Sequence, residues 1–573
     1  MKQTDSPDLI TESGTRQGKQ EQALCLLDRK ETIAQLTGRQ FDILVIGGGI
    51  TGAGIALDAA SRGLKTALIE KQDFAAGTSS RSTKLIHGGL RYLEHLELGL
   101  VHKAGREREI LHQNAPHLVI PEKMLLPIIK DGTLGEFTTS LALYVYDYLA
   151  GVKRREHRRM LTFEETLERE PLLDPRILKG GALYYEYRTD DSRLTIEVIK
   201  KAAEYGAVVI NYVEATDFVY QKRRVEGVAV KDLVAGMTHC IYSKYTVNAT
   251  GVWVDRIRDR DNSLDHRRLH ITKGIHIVVP SSRLPLRTAM YFDVGDRRMI
   301  FAIPRDRIVY IGTTDTEYAG SLENPDITRN DIEYLLAAVR RIAPSIKLTV
   351  KDVESAWSGL RPLIHQEGKA PSELSRKDEV FLSESRLISI AGGKLTGYRL
   401  MAKRVVDLVC KRLARREKGV IPKCQTRYIK LAGGEFQFEP ELSRLAEYAD
   451  SKYPRVSDTG ISRQHFRRLF HRYGTNLDRL IAMACDFYRE SGNSREAWLK
   501  AEVWYTVRFE MATSLCDFFI RRTGMIHFQI AEIATAQAFV ADTMADLLGW
   551  DEDKKNQELE ALAQAVKHAT EFT

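Results

Sequence analysis

An α/β fold, with a parallel-stranded nucleotide-binding core, an added antiparallel sheet and a helical C-terminal region, is predicted by three observations. A strand, a glycine turn and a helix follow one another directly at residues 41–62. Alternating apolar runs recur between residues 270 and 357. After a Gly433-Gly434 break the pattern is almost entirely helical.

The first observation carries most weight. Phe41-Asp42-Ile43-Leu44-Val45-Ile46 is short, apolar and β-branched, as suits a buried parallel strand. Gly47-Gly48-Gly49-Ile50-Thr51-Gly52 turns it into a helical segment, Ala53 to Arg62, and a second strand, Thr66-Ala67-Leu68-Ile69, ends in Glu70. In such a unit Gly47 permits the tight turn, Gly49 lets a pyrophosphate approach the backbone, and Gly52 allows close packing of helix on strand. The helix start offers unpaired N–H groups to phosphate, and Glu70 stands where an acid hydrogen-bonds a ribose hydroxyl. A bare GxGxxG is weak, but strand, helix, second strand and acid in this order predict a Rossmann-like dinucleotide-binding domain.

Length and composition set the frame. The 573 residues suffice for two or three domains with a large core. A net charge of +8 and a pI near 8.9 suit an anionic substrate or an anionic membrane face, and no basic tail points to nucleic acid. Cys25, Cys240, Cys410, Cys424, Cys485 and Cys516 are scattered without CxxC or metal-ligand spacing, which predicts a reducing compartment, no zinc and no iron-sulfur cluster. No signal-peptide core or membrane-spanning stretch is visible. Residues 1–40 read as a polar extension, with an amphipathic helix from Glu21 to Leu36 packed on the core.

A second cluster follows Glu70. Gly77-Thr78-Ser79-Ser80-Arg81-Ser82-Thr83-Lys84 concentrates hydroxyls and cations, and Leu85-Ile86-His87-Gly88-Gly89-Leu90-Arg91-Tyr92-Leu93-Glu94 continues it. Composition alone allows either a solvated loop or a loop that holds a pyrophosphate and a flavin edge. The run from Gly77 to Glu94 closely resembles a motif of FAD-dependent glycerol-3-phosphate dehydrogenases. Gly312-Thr-Thr-Asp315, Gly359-Leu-Arg-Pro-Leu363 and Gly392-Gly-Lys-Leu-Thr-Gly-Tyr-Arg399 resemble later motifs of that family, as do Glu502 to Met511 and Arg521-Arg-Thr523. The resemblance implies a DAO-type flavoprotein: a Rossmann-like FAD-binding domain over 41–430, an antiparallel-sheet substrate domain interleaved at about 121–187 and 270–357, and a helical C-terminal cap domain over 431–573.

The resemblance also implies a site. FAD would be held by Gly47, Gly49, Ile50, Thr51, Gly52, Glu70 and Lys71, and by Thr78, Ser79, Ser80, Ser82, Thr83, Lys84 and Leu85. Val213, Ala249, Thr250, Gly251 and Gly359 would complete it, with Gly392, Gly393, Lys394, Leu395 and Thr396 serving flavin and substrate jointly. The substrate, sn-glycerol 3-phosphate, is a small dianion with a secondary alcohol. Arg91, Tyr92, Arg361, Arg376, Lys394 and Thr396 match positions that would grip it, the arginines through a planar fork suited to phosphate. Arg376 lies in the polar run Ser375-Arg-Lys-Asp378, so its assignment rests on resemblance alone.

Alcohol oxidation by flavin moves a hydride from C2 to the flavin while a base takes the hydroxyl proton. His87, four residues before Arg91, and His276, in the alternating run Thr272 to Val279, are both candidates, and the sequence leaves the choice open. Arg91 and Lys394 could stabilise the alkoxide. The strand Ala207 to Val213 follows an amphipathic segment, Leu194 to Tyr205, and the strand Tyr245 to Gly251 ends at the Ala249-Thr250-Gly251 turn. The strand Leu387 to Gly393 leads into a helix, Leu395 to Leu413, whose N-terminus would stabilise the reduced ring.

In the resembling enzymes electrons go to membrane quinone, which implies a cytoplasmic enzyme attached peripherally to the anionic inner face of the cell membrane. Two stretches suit such contact: Phe466, Leu469, Phe470 and Tyr473 among arginines, and Leu141-Ala-Leu-Tyr-Val-Tyr146 with Tyr148 and Leu149 before the charged run Lys153 to Arg159. Core packing explains either stretch as well. The alternatives are a glycerol-3-phosphate oxidase that uses oxygen and makes hydrogen peroxide, a form paired with an iron-sulfur subunit, and a flavin-binding regulator without turnover. A homodimer is compatible with the resemblance.

Overall fold

The structure is a computed structural model that describes residues 29–87, 98–130, 132, 139, 143–144, 156–295, 298–364, 378–417 and 420–572. Phe41–Ile46 is central in a parallel sheet, with Thr66–Ile69 and then Val208–Ile210 on one side, and Thr238–Asn248 and then Ile388–Gly392 on the other. Asp378–Leu382 closes that edge antiparallel. Both faces of the sheet are covered, which is why its central strand is a continuous apolar run. Ile43 and Val45 pack against the helices Ile50–Ser61, Asp191–Glu204 and Tyr398–Glu417. Leu44 and Ile46 face the other way, onto the hairpin Val213–Gln221 and Arg224–Asp232, which Thr238–Asn248 extends into a meander.

The second sheet is antiparallel except where Ala289–Asp293 runs parallel to Ile120–Ile129. Its long strands, Leu178–Arg188, Leu269–Pro280, Met299–Arg305, Ile308–Gly312 and Ser355–Ile364, include the three alternating runs read from the sequence. The helix Arg329–Ile342 begins with a Thr328/Asp331 capping box and buries Ile332, Leu335, Leu336 and Val339 against one face. Full burial of each such side chain contributes about 1.5–3 kcal/mol.

Helices Leu442–Lys452, Arg463–Tyr473, Leu477–Ser491 and Ser494–Glu510 build one apolar cluster of the C-terminal region. Ser494–Glu510 also joins Ile530–Leu548 and Glu552–Thr570 in another. Phe466, Leu469, Phe470 and Tyr473 are each no more than 1% exposed, so this apolar stripe is core and not a membrane-facing surface. Of the other candidate surface, Leu143 is buried and Tyr144 exposed, while Leu141, Ala142 and residues 145–155 lie outside the described residues. No helix among the described residues is long and apolar enough to cross a membrane. The N-terminal helix is described as Arg29–Thr37, with Arg29 paired to Asp232 at 2.7 Å, and its earlier part lies outside the described residues.

Buried ion pairs join the helical region to the parallel-sheet domain. Arg521 and Arg522 leave the π-helix Asp517–Arg522 and meet Asp73 at 2.5 Å and 2.7 Å. Arg193 pairs with Glu510 at 2.5 Å, and the Lys200 ammonium donates to the Tyr505 hydroxyl at 2.9 Å. Burial alone would raise the Asp73 carboxyl, but the Arg522 and Arg521 guanidiniums hold it below its ordinary value. Removing one partner of a buried pair strands the other charge. Asp73→Ala is therefore expected to destabilise the protein by about 3–5 kcal/mol, read as a lower urea midpoint; an unchanged midpoint would refute the structural role of the pair.

Candidate active site

The glycine turn after Phe41–Ile46 is fixed by sterics. Gly47 has φ +114°, and a Cβ there would lie 2.6 Å from the Ala249 carbonyl oxygen. A Cβ on Gly52 would lie 1.9 Å from the Gly47 oxygen, so Gly52 sets the seat of the helix and does not itself line the cleft. Gly49 is the N-cap of the helix, and the Ile50 N–H donates to the Ser79 hydroxyl at 3.0 Å. Glu70 accepts from the Gly48 N–H at 2.7 Å and the Gln72 N–H at 2.8 Å. Burial raises its carboxyl against those two bonds.

The hydroxyl loop is tied down mainly by the protein itself. Thr78 donates to the Leu360 oxygen at 2.8 Å, and the Ser82 N–H and hydroxyl both bind the Asp191 carboxylate. Ser80 and Lys84, read as cofactor ligands from the sequence, are buried away from the cleft wall. The Lys84 ammonium is spent on Asp191 at 2.5 Å and the Ser80 oxygen at 3.0 Å, because the carboxylate of Asp191 is fully buried and requires a cation.

One cleft of about 330 Å³ brings most of the expected residues together. Its first wall is Gly47, Gly49, Ile50, Thr51, Glu70 and Lys71, continued by Thr78, Ser79, Ser82, Thr83 and Leu85. Val213, Ala249, Thr250 and Gly251 line a further stretch, and Gly359 and Arg361 enter from the antiparallel sheet. Gly392, Gly393, Lys394, Leu395 and Thr396 close it beside His87 and His276. Arg91, Tyr92 and Arg376 lie outside the described residues. The α-helix after Gly393 starts at Tyr398, and a 3₁₀ turn over Leu395–Gly397 occupies the place where the sequence suggested its first turn.

Arg361 is oriented before any ligand arrives. Its guanidinium donates to Asp315 at 3.1 Å, to the Thr313 hydroxyl at 2.9 Å and to the Thr314 oxygen at 3.1 Å. Gly274 makes room for it, since a Cβ there would lie 2.2 Å from the guanidinium. His276 stacks on Trp357 with centroids 4.8 Å apart, and its Nε2 meets the Thr83 hydroxyl at 3.0 Å. Burial, then Arg361 and Lys84, push its pKa well below the usual range, so this imidazole is neutral. His87 meets Phe301 edge-on at 6.0 Å, and its backbone oxygen accepts from the Thr396 hydroxyl at 3.4 Å.

Several cleft residues escaped the sequence reading. Arg81 lines the cleft, donates to the Glu323 oxygen at 3.3 Å, and has its pKa lowered to about 10 by burial and by Arg521. It sits inside the hydroxyl run, where the surrounding serines drew attention from it. Trp253, Arg256 and Arg260 also line the cleft. The i, i+4 spacing of the two arginines directly after the Thr250-Gly251 turn is a signal that could have found them.

Residues 42–398 match the FAD dependent oxidoreductase family, and residues 424–555 match the C-terminal domain of alpha-glycerophosphate oxidase. The aerobic glycerol-3-phosphate dehydrogenase of Bacillus subtilis is 46% identical over 95% of this chain and 98% of its own. That of Staphylococcus epidermidis is 45% identical over 96% of this chain and 98% of its own. Among solved structures, the glycerol-3-phosphate dehydrogenase from Bacillus halodurans complexed with FAD is 42% identical, with a TM-score of 0.81 over 96% of this chain and 98% of that one. The FAD-bound L-alpha-glycerophosphate oxidase from Mycoplasma pneumoniae shares the fold alone, at 17% identity and a TM-score of 0.54 over 68% of this chain and 97% of that one.

At Gly47 any side chain meets both a positive φ and the Ala249 carbonyl. Gly47→Ala is expected to abolish dinucleotide retention, measured as bound nucleotide per chain after gel filtration. Wild-type content in that variant would mean that the turn is not the cradle.

Proposed function

Because this chain belongs to the FAD dependent oxidoreductase family, and within it to the FAD-dependent glycerol-3-phosphate dehydrogenases, we propose that it oxidises sn-glycerol 3-phosphate to dihydroxyacetone phosphate and delivers the electrons to membrane quinone. It is an enzyme, and its cofactor is FAD. The cleft residues fit that cofactor: Gly47 leaves backbone where a side chain would intrude, Glu70 stands at the end of the second strand, and the wall runs on to Lys394. Bound FAD supplies the acceptor for the hydride from C2.

The observation that carries the substrate assignment is the oriented guanidinium of Arg361 in the same cleft as Lys394. Held by Asp315, Thr313 and Thr314, Arg361 loses little freedom when it binds a phosphate oxygen. Lys394 supplies a point charge for the oxygen at C2 as it loses its proton. We assign proton removal to His87. His276 is wedged against Trp357 and hydrogen-bonded to Thr83, and protonating it would add a charge beside Arg361 and Lys84. It therefore serves better as a rigid wall. The hydrogen on C2 would leave as hydride with the C–H electron pair, the hydroxyl proton would go to the base, and the O–H electron pair would become the second C–O bond of the ketone.

Identity of 45% and 46% over almost the whole chain to proteins named dehydrogenases supports quinone as the acceptor. Quinone delivery requires approach to a bilayer face, and a net charge of +8 suits an anionic one.

Anaerobic mixing of the holoenzyme with sn-glycerol 3-phosphate is expected to bleach the visible flavin absorbance, which a soluble quinone then restores much faster than air. Faster recovery in air, with peroxide, would make the enzyme an oxidase; no bleaching would refute the substrate. Arg361→Ala should raise KM about 100-fold with FAD content unchanged, from loss of charge-assisted phosphate bonds. A wild-type KM in that variant would remove Arg361 from the phosphate site.

A further inference from the structure

A second basic crevice lies apart from the cleft, where the helix Arg463–Tyr473 faces the ends of the strands Leu178–Arg188 and Met299–Arg305. It encloses about 140 Å³ and is lined by five arginines, Arg188, Arg305, Arg307, Arg468 and Arg472, against two acids, Asp190 and Asp306. Three of the arginines already have carboxylate partners. Arg188 binds Glu122 at 3.1 Å, Arg307 binds Glu354 at 3.1 Å, and Arg472 binds Glu502.

Arg305 and Arg468 differ from these. Neither has an ion-pair or hydrogen-bond partner among the described residues, and the Arg468 Nε is buried without an acceptor. The Arg305 guanidinium lies 3.9 Å over the Phe528 ring, which shields one face and leaves its edge for an acceptor. Of the two acids, Asp190 caps the helix Asp191–Glu204 by accepting from Ser192 and Arg193. Asp306 accepts from Gln464 at 3.4 Å.

Behind the crevice, with its ring edge against Gly433 and Gly474, one further group also lacks a partner. His117 has no exposed surface, and neither of its ring nitrogens is hydrogen-bonded. Burial, then His471, keep its pKa well below the usual range, so it offers one N–H donor and one acceptor. Two half-buried guanidiniums without a hydrogen-bonded acceptor among the described residues concentrate positive charge here, and Asp190 and Asp306 act on Arg305 only through space.

We propose that this crevice is a second anion site, which binds a small phosphomonoester or inorganic phosphate between the C-terminal helices and the antiparallel sheet. A phosphate dianion presents acceptors to the forks of Arg305 and Arg468 together. The site abuts the catalytic cleft from behind. Arg188 is in register with Leu85 of the cleft wall, and Phe528, under Arg305, meets Trp357 at 5.8 Å, the ring on which His276 stacks.

The test uses wild-type holoenzyme labelled with phenylglyoxal, with arginine peptides quantified by mass spectrometry. Inorganic phosphate, against chloride at equal ionic strength, is expected to slow labelling of Arg305 and Arg468 about tenfold, as occupancy of a site at ten times its dissociation constant requires. Equal labelling rates with and without phosphate would overturn the proposal. In a second measurement, equilibrium dialysis of labelled phosphate should show one equivalent fewer in Arg468→Gln than in wild type, and one fewer again in the Arg361→Ala, Arg468→Gln double variant than in Arg361→Ala. Unchanged stoichiometry in Arg468→Gln, or equal stoichiometry in Arg361→Ala and the double variant, would overturn it as well.

Discussion

Asp73 has no exposed surface, yet it receives two guanidiniums from the far end of the chain, with Arg522 separated from it by 449 positions in sequence. It lies three residues after Glu70 and four before Gly77, so it anchors the turn between the two main walls of the cleft. A loop of that length would sample many conformations in solution. Here the charge on Asp73 can be buried only if Arg521 and Arg522 arrive, and they arrive only when the C-terminal helices are docked. Local order at the cofactor cleft therefore depends on a non-local electrostatic contact.

The same logic extends outward from Asp73. Arg193 joins Glu197 and Glu510, and Lys200 joins the same pair of acids, so a helix of the parallel-sheet domain and the last turn of Ser494–Glu510 form one neutralised cluster. Asn211 adds a bond from its side-chain amide to the Met511 oxygen at 2.8 Å. Such clusters are poor sources of net stability compared with apolar packing, but they tolerate only one registration of the two parts. In a cleft where Arg361 must meet a small dianion, that registration matters more than a further increment of stability. The C-terminal helices thus act on the site through geometry and not through contact with its ligand.

What could be read from the sequence depended on the distance over which each signal acts. The Gly47 turn was legible because strand, turn and helix are adjacent, and each glycine answers to a neighbour within a few residues or to a strand predicted independently. The alternating strands around His276 were legible for the same reason. The hydroxyl loop was readable only in part: Ser80 and Lys84 share composition with Ser79 and Thr83 but turn inward, and nothing local distinguishes them before Asp191 is in place. The grip of Asp315 and Thr313 on Arg361 was likewise invisible, since it joins a strand to a loop more than 40 residues earlier in the chain.

The helix Arg463–Tyr473 shows why periodicity alone cannot name a partner. An apolar stripe of Phe466, Leu469, Phe470 and Tyr473 beside arginines satisfies the pattern of a membrane-surface helix and that of a packed helix equally, because both need one face removed from water. Tertiary structure decides between them: the stripe meets Leu445, Leu480, Trp498 and Tyr505 and is closed. The basic side is then left to do something else. Arg467 turns to Asp450 in solvent at 2.6 Å, whereas Arg472 and Arg468 turn toward the antiparallel sheet, where Arg188, Arg305 and Arg307 already stand. Like charges gather there because each strand end and the helix bring their own, and among the described residues partner carboxylates pair with only three of the five. Part of the positive charge that suggested a membrane from the sequence, that of Arg468 and Arg472, is directed by the fold into a crevice against the antiparallel sheet.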